Sequence, residues 1–194
     1  GEDKELFTLS ELIREFSFER INKSGAVFDQ EKLNWMNQQY IQKLEQGDLF
    51  RRVEPFLAKT TYARQDKDQL EKALTLLQPR LENLSETASR LALFFDEYPQ
   101  ATDPKVLRVL REENSKKVLA EFVKQLEKLE VLNEENLGSI VKNIQNFTKI
   151  EGKDLWMPLR YAITLEVQGP DLKHIAVFFG KEKCLKLAQR AHES

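Results

Sequence analysis

Hydrophobic positions recur along this chain at helical spacing. Leu9, Leu12, Ile13 and Phe16 sit at i, i+3, i+4 and i+7, behind Thr8-x-x-Glu11, the pattern of a reciprocal N-terminal cap. Leu33, Met36, Tyr40, Ile41 and Leu44 make a second stripe, which Gly47 is expected to close. Leu70, Ala73, Leu74 and Leu77 make a third, stopping before Pro79, because a proline pushes the residue ahead of it out of the helical region. Leu84, Ala88, Leu91, Ala92 and Phe95 follow and end before Pro99. Asp103-Pro104 reads as a cap followed by proline at the first helical position. Val118, Leu119, Phe122, Val123, Leu126 and Leu129 form a broad apolar face. Asn133 can cap a helix with the face Leu137, Ile140, Val141, Ile144 and Phe147, broken by Gly152. Gly169-Pro170 opens a short helix that Gly180 terminates, and a last helix runs to about Ala191. No two segments alternate with the period of two that paired strands require, so the pattern predicts an all-α chain. Two prolines and several turn formers in Tyr98-Pro-Gln-Ala-Thr-Asp-Pro104 divide it into consecutive helical domains, 1–97 and 98–194.

Composition supports that reading. Leu, Glu and Lys supply 70 of the 194 residues, whereas Ile and Val together supply 18. Helix formers dominate and the β-branched residues favoured in sheets are scarce. Charge is balanced, 30 basic against 32 acidic residues, which argues against a protein that grips polyanions by bulk charge. The first domain carries a net −4 and the second +2, so the second is the better candidate for an anionic partner. The single cysteine, Cys184, excludes an internal disulfide and fits a reducing, cytoplasmic setting. No apolar run reaches the ~18 residues of a membrane span. The start, Gly1-Glu2-Asp3-Lys4-Glu5, has neither a signal-peptide core nor a methionine, and reads as a processed end or a cloned fragment.

Catalytic chemistry is missing from the pattern. Gly152-Lys153-Asp154 and Gly180-Lys181-Glu182 lack the further glycines and the hydroxyl of a phosphate-cradling loop. His174 and His192 belong to no ligand spacing, so no metal is expected. Cys184 reads as a buried structural thiol, and Glu112-Glu113 and Glu134-Glu135 as solvated first-turn charges.

Two proline–arginine sites break the bland pattern. In Leu155-Trp-Met-Pro-Leu-Arg-Tyr-Ala-Ile163, Arg160 is the only charge. If Pro158 marks a helix start, Arg160 sits in the first turn, where the helix dipole disfavours a cation. Either an internal carboxylate, with Asp154 and Glu166 as candidates, holds it, or its planar fork awaits an anion or a base edge. Pro79-Arg80 repeats the arrangement at a second expected helix start. Trp35 lies off its apolar stripe, either as an exposed stacking group or as a second packing face.

These segments carry a family resemblance. Phe16-Ser-Phe-Glu-Arg-Ile-Asn-Lys-Ser-Gly-Ala-Val-Phe-Asp29 and Lys32-Leu-Asn-Trp-Met-Asn37 resemble the segment after the catalytic fold of bacterial-type glutamyl-tRNA synthetases. Trp156-Met-Pro-Leu-Arg-Tyr-Ala-Ile-Thr164, Gly169-Pro-Asp-Leu172 and Phe179-Gly-Lys-Glu182 are similar to that family's C-terminal signature. The resemblance spans essentially the whole chain, and over about 105–150 only in helical character. It implies the end of a stem-contact region and two helical anticodon-binding domains of a class I synthetase, without the catalytic nucleotide-binding fold. The parent it implies is an enzyme that charges tRNA(Glu) with glutamate using ATP and magnesium. The fragment itself would need no cofactor and would have no activity. It would be a monomer that binds the anticodon loop, with no affinity for DNA or membranes.

Residue by residue, the resemblance implies that Arg80 reads the third anticodon base and that Arg160 contacts anticodon bases. It implies that Gly169, Pro170 and Leu172 line the anticodon pocket, and that Lys32 and Trp35 approach the tRNA body. Arginine at position 80 is associated in the family with enzymes that discriminate between glutamate and glutamine tRNAs. Where the family often has Thr-Gly, this chain has Thr164-Leu165. Leucine cannot take a positive φ cheaply, so the 165–168 loop is expected to follow a different path. From the residues alone, a helical protein–protein interaction module without RNA binding is the alternative.

Overall fold

The computed structural model describes residues 4–21, 25, 27–97, 99, 101, 103–167 and 169–193. Among these residues every regular element is helical and no strand is present. Helix α1 (Leu9–Glu15) carries the expected reciprocal cap: the Glu11 amide donates to Thr8 Oγ1 at 3.3 Å and the Thr8 amide to Glu11 Oε2 at 2.8 Å. The Lys4 ammonium and the Thr8 donors hold the Glu11 carboxyl down at about 2. Its apolar stripe, Leu9, Leu12, Ile13 and Phe16, is left exposed among the described residues.

Helices α2 (Gln30–Gln42), α3 (Gln46–Leu57), α4 (Lys67–Leu77) and α5 (Thr87–Phe95) form the first group. Asp29 caps α2, with its Oδ1 accepting from the Lys32 amide. Gly47 does not close α2 as the pattern suggested, but lies in the first turn of α3. The break is made earlier by a turn through Lys43 and Leu44, and by Glu45, whose extended backbone restarts the chain as the cap of α3. Leu49, Val53 and Leu57 of α3, the expected stripe of α4, and Leu91 and Phe94 of α5 share one buried core. A buried glutamine ties this group together. Gln78 Nε2 donates to the carbonyls of Ile41 (2.9 Å) and Leu44 (2.8 Å), and its Oε1 accepts from Gln46 Nε2 (2.8 Å). Three of the four hydrogen-bonding positions of this desolvated amide are therefore filled, joining α2, α3 and α4.

The second group is α6 (Pro104–Leu110), α7 (Glu113–Glu127), α8 (Glu134–Thr148), α9 (Lys153–Thr164) and α10 (Leu172–Glu193). Asp103 and Pro104 start α6 as read from the sequence, and Asn133 caps α8 reciprocally with Asn136. Lys149 ends α8 in the left-handed region at φ 61°. Gly180, at φ 69° and ψ −179°, breaks α10 into the two expected pieces. Helix α10 packs along α7, α8 and α9. Cys184 is fully buried on it, and burial pushes its thiol up to about 12, so it stays protonated.

The two groups meet where α5 faces α10. Phe94 stands edge-on to Phe178 and Phe179, with ring centroids 5.2 and 5.8 Å away. Lys183 Nζ donates to the carbonyls of Phe94 (2.8 Å) and Asp96 (3.3 Å), capping the end of α5. Its ammonium lies 4.6 Å above the Phe179 ring, and burial pulls its pKa down. Within the expected boundary segment, Tyr98, Gln100 and Thr102 lie outside the described residues.

Candidate nucleic-acid interface

Helix α9 runs from Lys153 to Thr164, so Pro158 is inside it and not at its start. The apolar positions Leu155, Leu159 and Ile163 recur at i, i+4, i+8 and anchor the helix in the main core strongly enough to carry an internal proline. Arg160 therefore lies in the second half of α9, nearer the end where the dipole favours a cation, and the expected dipole conflict is absent. Its guanidinium is half-buried. Nη2 donates to the carbonyl of Gly169 at 2.5 Å and to that of Pro170 at 3.2 Å. No carboxylate forms an ion pair with Arg160 among the described residues. Nε and Nη1 have no protein partner there, so part of the donor fork is uncommitted.

The loop that Arg160 holds is shaped by its ends. Leu165 caps α9 in the left-handed region, at φ 58° and ψ 11°. Leucine therefore does take the positive φ that its side chain disfavours. The side chain packs against the main core, and the Leu165 amide still bonds the Tyr161 carbonyl at 3.1 Å, so packing outweighs a backbone cost of roughly 1–2 kcal/mol. Thr164 Oγ1 donates to the Arg160 carbonyl at 2.9 Å. Gln168 lies outside the described residues. Gly169 and Pro170 are buried, as is Leu172. The structure thus joins Arg160, Gly169 and Pro170 directly, while Leu172, two residues on, belongs to the main core. One turn ahead on the same face of α9, Trp156 is 41% exposed.

Arg80 is built differently. A 3₁₀ turn, Gln78–Arg80, continues directly from the end of α4, so Arg80 closes a helical run and does not start one. Pro79 could be accommodated because the 3₁₀ turn places it at a position where no helical N–H is needed. Polar side chains of α2 grip the segment from the other side: Gln38 and Gln42 donate to the Pro79 carbonyl at 3.0 and 2.9 Å, and Asn37 donates to the Glu82 carbonyl. Arg80 itself is exposed, with no ion pair or hydrogen bond of its side chain among the described residues. Trp35, also on α2, is 41% exposed, and Lys32 is exposed and paired with Glu5 at 2.6 Å. Lys32, Trp35 and Arg80 therefore belong to α2 and the segment it holds, separate from the Arg160 cluster.

Sequence reasoning missed one polar cluster. Arg90 of α5 donates through Nε to Glu86 Oε2 (3.1 Å) and through Nη1 to Glu166 Oε2 (3.1 Å). Glu166, a candidate partner of Arg160, is thus held from the other half of the molecule. Burial raises its pKa, and the Arg90 charge opposes that shift most strongly, followed by Arg160. The pair joins residues 76 apart in sequence, and no local pattern announces it. A cleft of about 470 Å³ opens between α5 and this loop, with Arg90, Glu166 and Leu165 on its walls. Among the described residues no group of three His, Cys, Asp or Glu side chains could hold a metal ion, and no helix is long and apolar enough to cross a membrane.

Comparison with known proteins places this arrangement. The chain is 35% identical over 189 residues to the glutamate–tRNA ligase of Clostridioides difficile, covering 95% of this chain and 38% of that protein. It is 31% identical over 192 residues to the glutamate–tRNA ligase of Finegoldia magna, covering 98% of this chain and 39% of that protein. It therefore spans well under half the length of these relatives. The fold is similar to the crystal structure of a glutamate tRNA ligase from Elizabethkingia meningosepticum in complex with its amino acid, with a TM-score of 0.72 at 23% identity, over 98% of this chain and 38% of that one. The anticodon binding domain family matches residues 48–191, which contain both arginines, the Arg160 loop and all but the last two residues of the second helical group, and this chain belongs to that family.

Proposed function

We propose that this chain is the C-terminal, anticodon-reading part of a glutamate–tRNA ligase, and that it binds the anticodon loop of tRNA(Glu) as a monomer in the cytoplasm. The family match and two relatives of that name support the reading. The observation that carries it is Arg160: a half-buried guanidinium fixed by two backbone carbonyls, with no carboxylate partner and with donors left over among the described residues. Sequence-specific recognition of RNA uses unpaired, splayed bases, arginine planes and aromatic faces. Arg160 and Trp156 offer both one turn apart on one helix, and Arg80 sits on a segment held by the helix that carries the exposed Trp35. Gly169 and Pro170 form the floor under Arg160, with Leu172 two residues on in the core. Lys32 lies on the side of the tRNA body. Activation of glutamate with ATP and magnesium belongs to the rest of such a parent, and the exposed stripe of α1 is a surface for that remainder to cover.

The test is equilibrium binding of the chain to a tRNA(Glu) transcript at two salt concentrations. With a net charge of −2, the contact set is small, so affinity is expected to fall with salt along a shallow slope corresponding to a few phosphates. Removing the anticodon loop should abolish most of the binding. Binding that is indifferent to the loop would overturn the reading.

A further inference from the structure

We propose that Arg90 is a positioning residue for recognition: by holding the Glu166 carboxylate across the gap between the two helical groups, it keeps the Arg160 fork free for RNA. The proposal rests on the role assigned above to Arg160. Both charged groups flank the same glycine. Arg160 Nη2 bonds the Gly169 carbonyl at 2.5 Å, and a Cβ placed on Gly169 would lie 3.2 Å from Glu166 Oε2. The carboxylate and the guanidinium are thus near neighbours, yet they form no ion pair among the described residues. What separates them is Arg90, which takes both Glu166 oxygens, at 3.4 and 3.1 Å, while its Nε is anchored on Glu86.

Remove the Arg90 charge and Glu166 loses its partner while facing Glu86, a like charge. Arg160, whose guanidinium bonds the carbonyl of the same glycine that Glu166 flanks, is then the cation at hand. A carboxylate swung onto Arg160 would occupy the uncommitted side of the fork, and would also place a negative charge where phosphate or base acceptors must approach. Both effects act through one freed carboxylate, so neutralising Glu166 should cancel them. A purely structural role for Arg90 would lower the melting temperature together with the affinity and recover both in the double variant, whereas a positioning role lowers affinity in a chain that is still fully folded at the assay temperature.

The experiment measures the affinity of the intact chain for an anticodon stem-loop RNA, with a melting temperature for each variant. Arg160→Ala should bind at least tenfold more weakly. Arg90→Gln should bind about five- to tenfold more weakly, Glu166→Gln should bind as tightly as the unaltered chain or slightly better, and the double variant should return to within about twofold. Arg90→Lys, which keeps the charge, should stay close to unaltered affinity. A double variant as weak as Arg90→Gln overturns the proposal, and so does a Glu166→Gln that binds poorly on its own. If Arg90→Gln melts below the assay temperature, Glu166→Gln and Arg90→Lys still decide by the same outcomes. If Arg160→Ala binds as before, the assignment of Arg160 fails and the proposal falls with it. A weak Arg160→Ala beside an unrescued double variant overturns the proposal alone.

Discussion

The two arginines singled out by the sequence have opposite surroundings. Arg160 is half-buried, bonded to two carbonyls and in no ion pair among the described residues. Arg80 is exposed, with no side-chain hydrogen bond or ion pair among the described residues, while the neighbouring backbone is gripped by α2. In the first case the side chain is pre-organised, and in the second only the platform is. Pre-organisation lowers the entropy cost of binding, but it makes the residue part of the fold as well. The Arg80 arrangement leaves the side chain free to change with little effect on stability.

Breaking the Arg80 platform should have the largest effect. Gln78→Ala leaves the Ile41 and Leu44 carbonyls unpaired in a buried place and opens a small gap, costing about 2–4 kcal/mol. Calorimetric melting checks this, and an unchanged melting temperature would show that the α2 grip alone suffices. Next comes Arg160→Ala. It should lower stability by about 1–2 kcal/mol through its two lost hydrogen bonds, and weaken anticodon-loop binding at least tenfold, about 1.4–3 kcal/mol. Melting and binding measured on one sample separate the two. Lys149→Gly contrasts with Leu165. Lys149 is exposed at φ 61°, so glycine should stabilise the chain by about 0.5–1 kcal/mol, whereas Leu165→Gly gives up packing and should gain nothing. Paired denaturant titrations would show it. The smallest stability effect belongs to Arg80→Gln, within about 0.5 kcal/mol of the unaltered chain. Its expected signature is weaker discrimination at the third anticodon base in competition binding between tRNAs that differ there.

Where local rules decide the outcome, the sequence was legible. The stripe of α4, the broad face of α7, the reciprocal caps at Thr8 and Asn133, and the break at Gly180 all depend on residues within a turn or two of one another. The errors share a different cause. Pro158 and Pro79 were read as helix starts because proline prefers that place, but tertiary packing carried α9 through one and a 3₁₀ turn accommodated the other. Gly47 was read as a terminator, although Glu45 makes the break. Leu165 adopts a costly conformation because its side chain is well packed. The partners of Arg160 were out of reach for the same reason. Local spacing offered Asp154 and Glu166, yet Glu166 is taken by Arg90 from another helical group. Long-range pairing leaves no period in the sequence, so the candidate residues were nameable while the network that sets their availability was not.

Base reading is separated from backbone binding by comparing the affinity of the chain for a tRNA(Glu) transcript with its affinity for the same transcript with only the anticodon bases exchanged. Base-edge recognition predicts binding at least tenfold weaker to the exchanged transcript, a gap that narrows sharply for Arg160→Ala. Equal affinity for both transcripts would contradict the account.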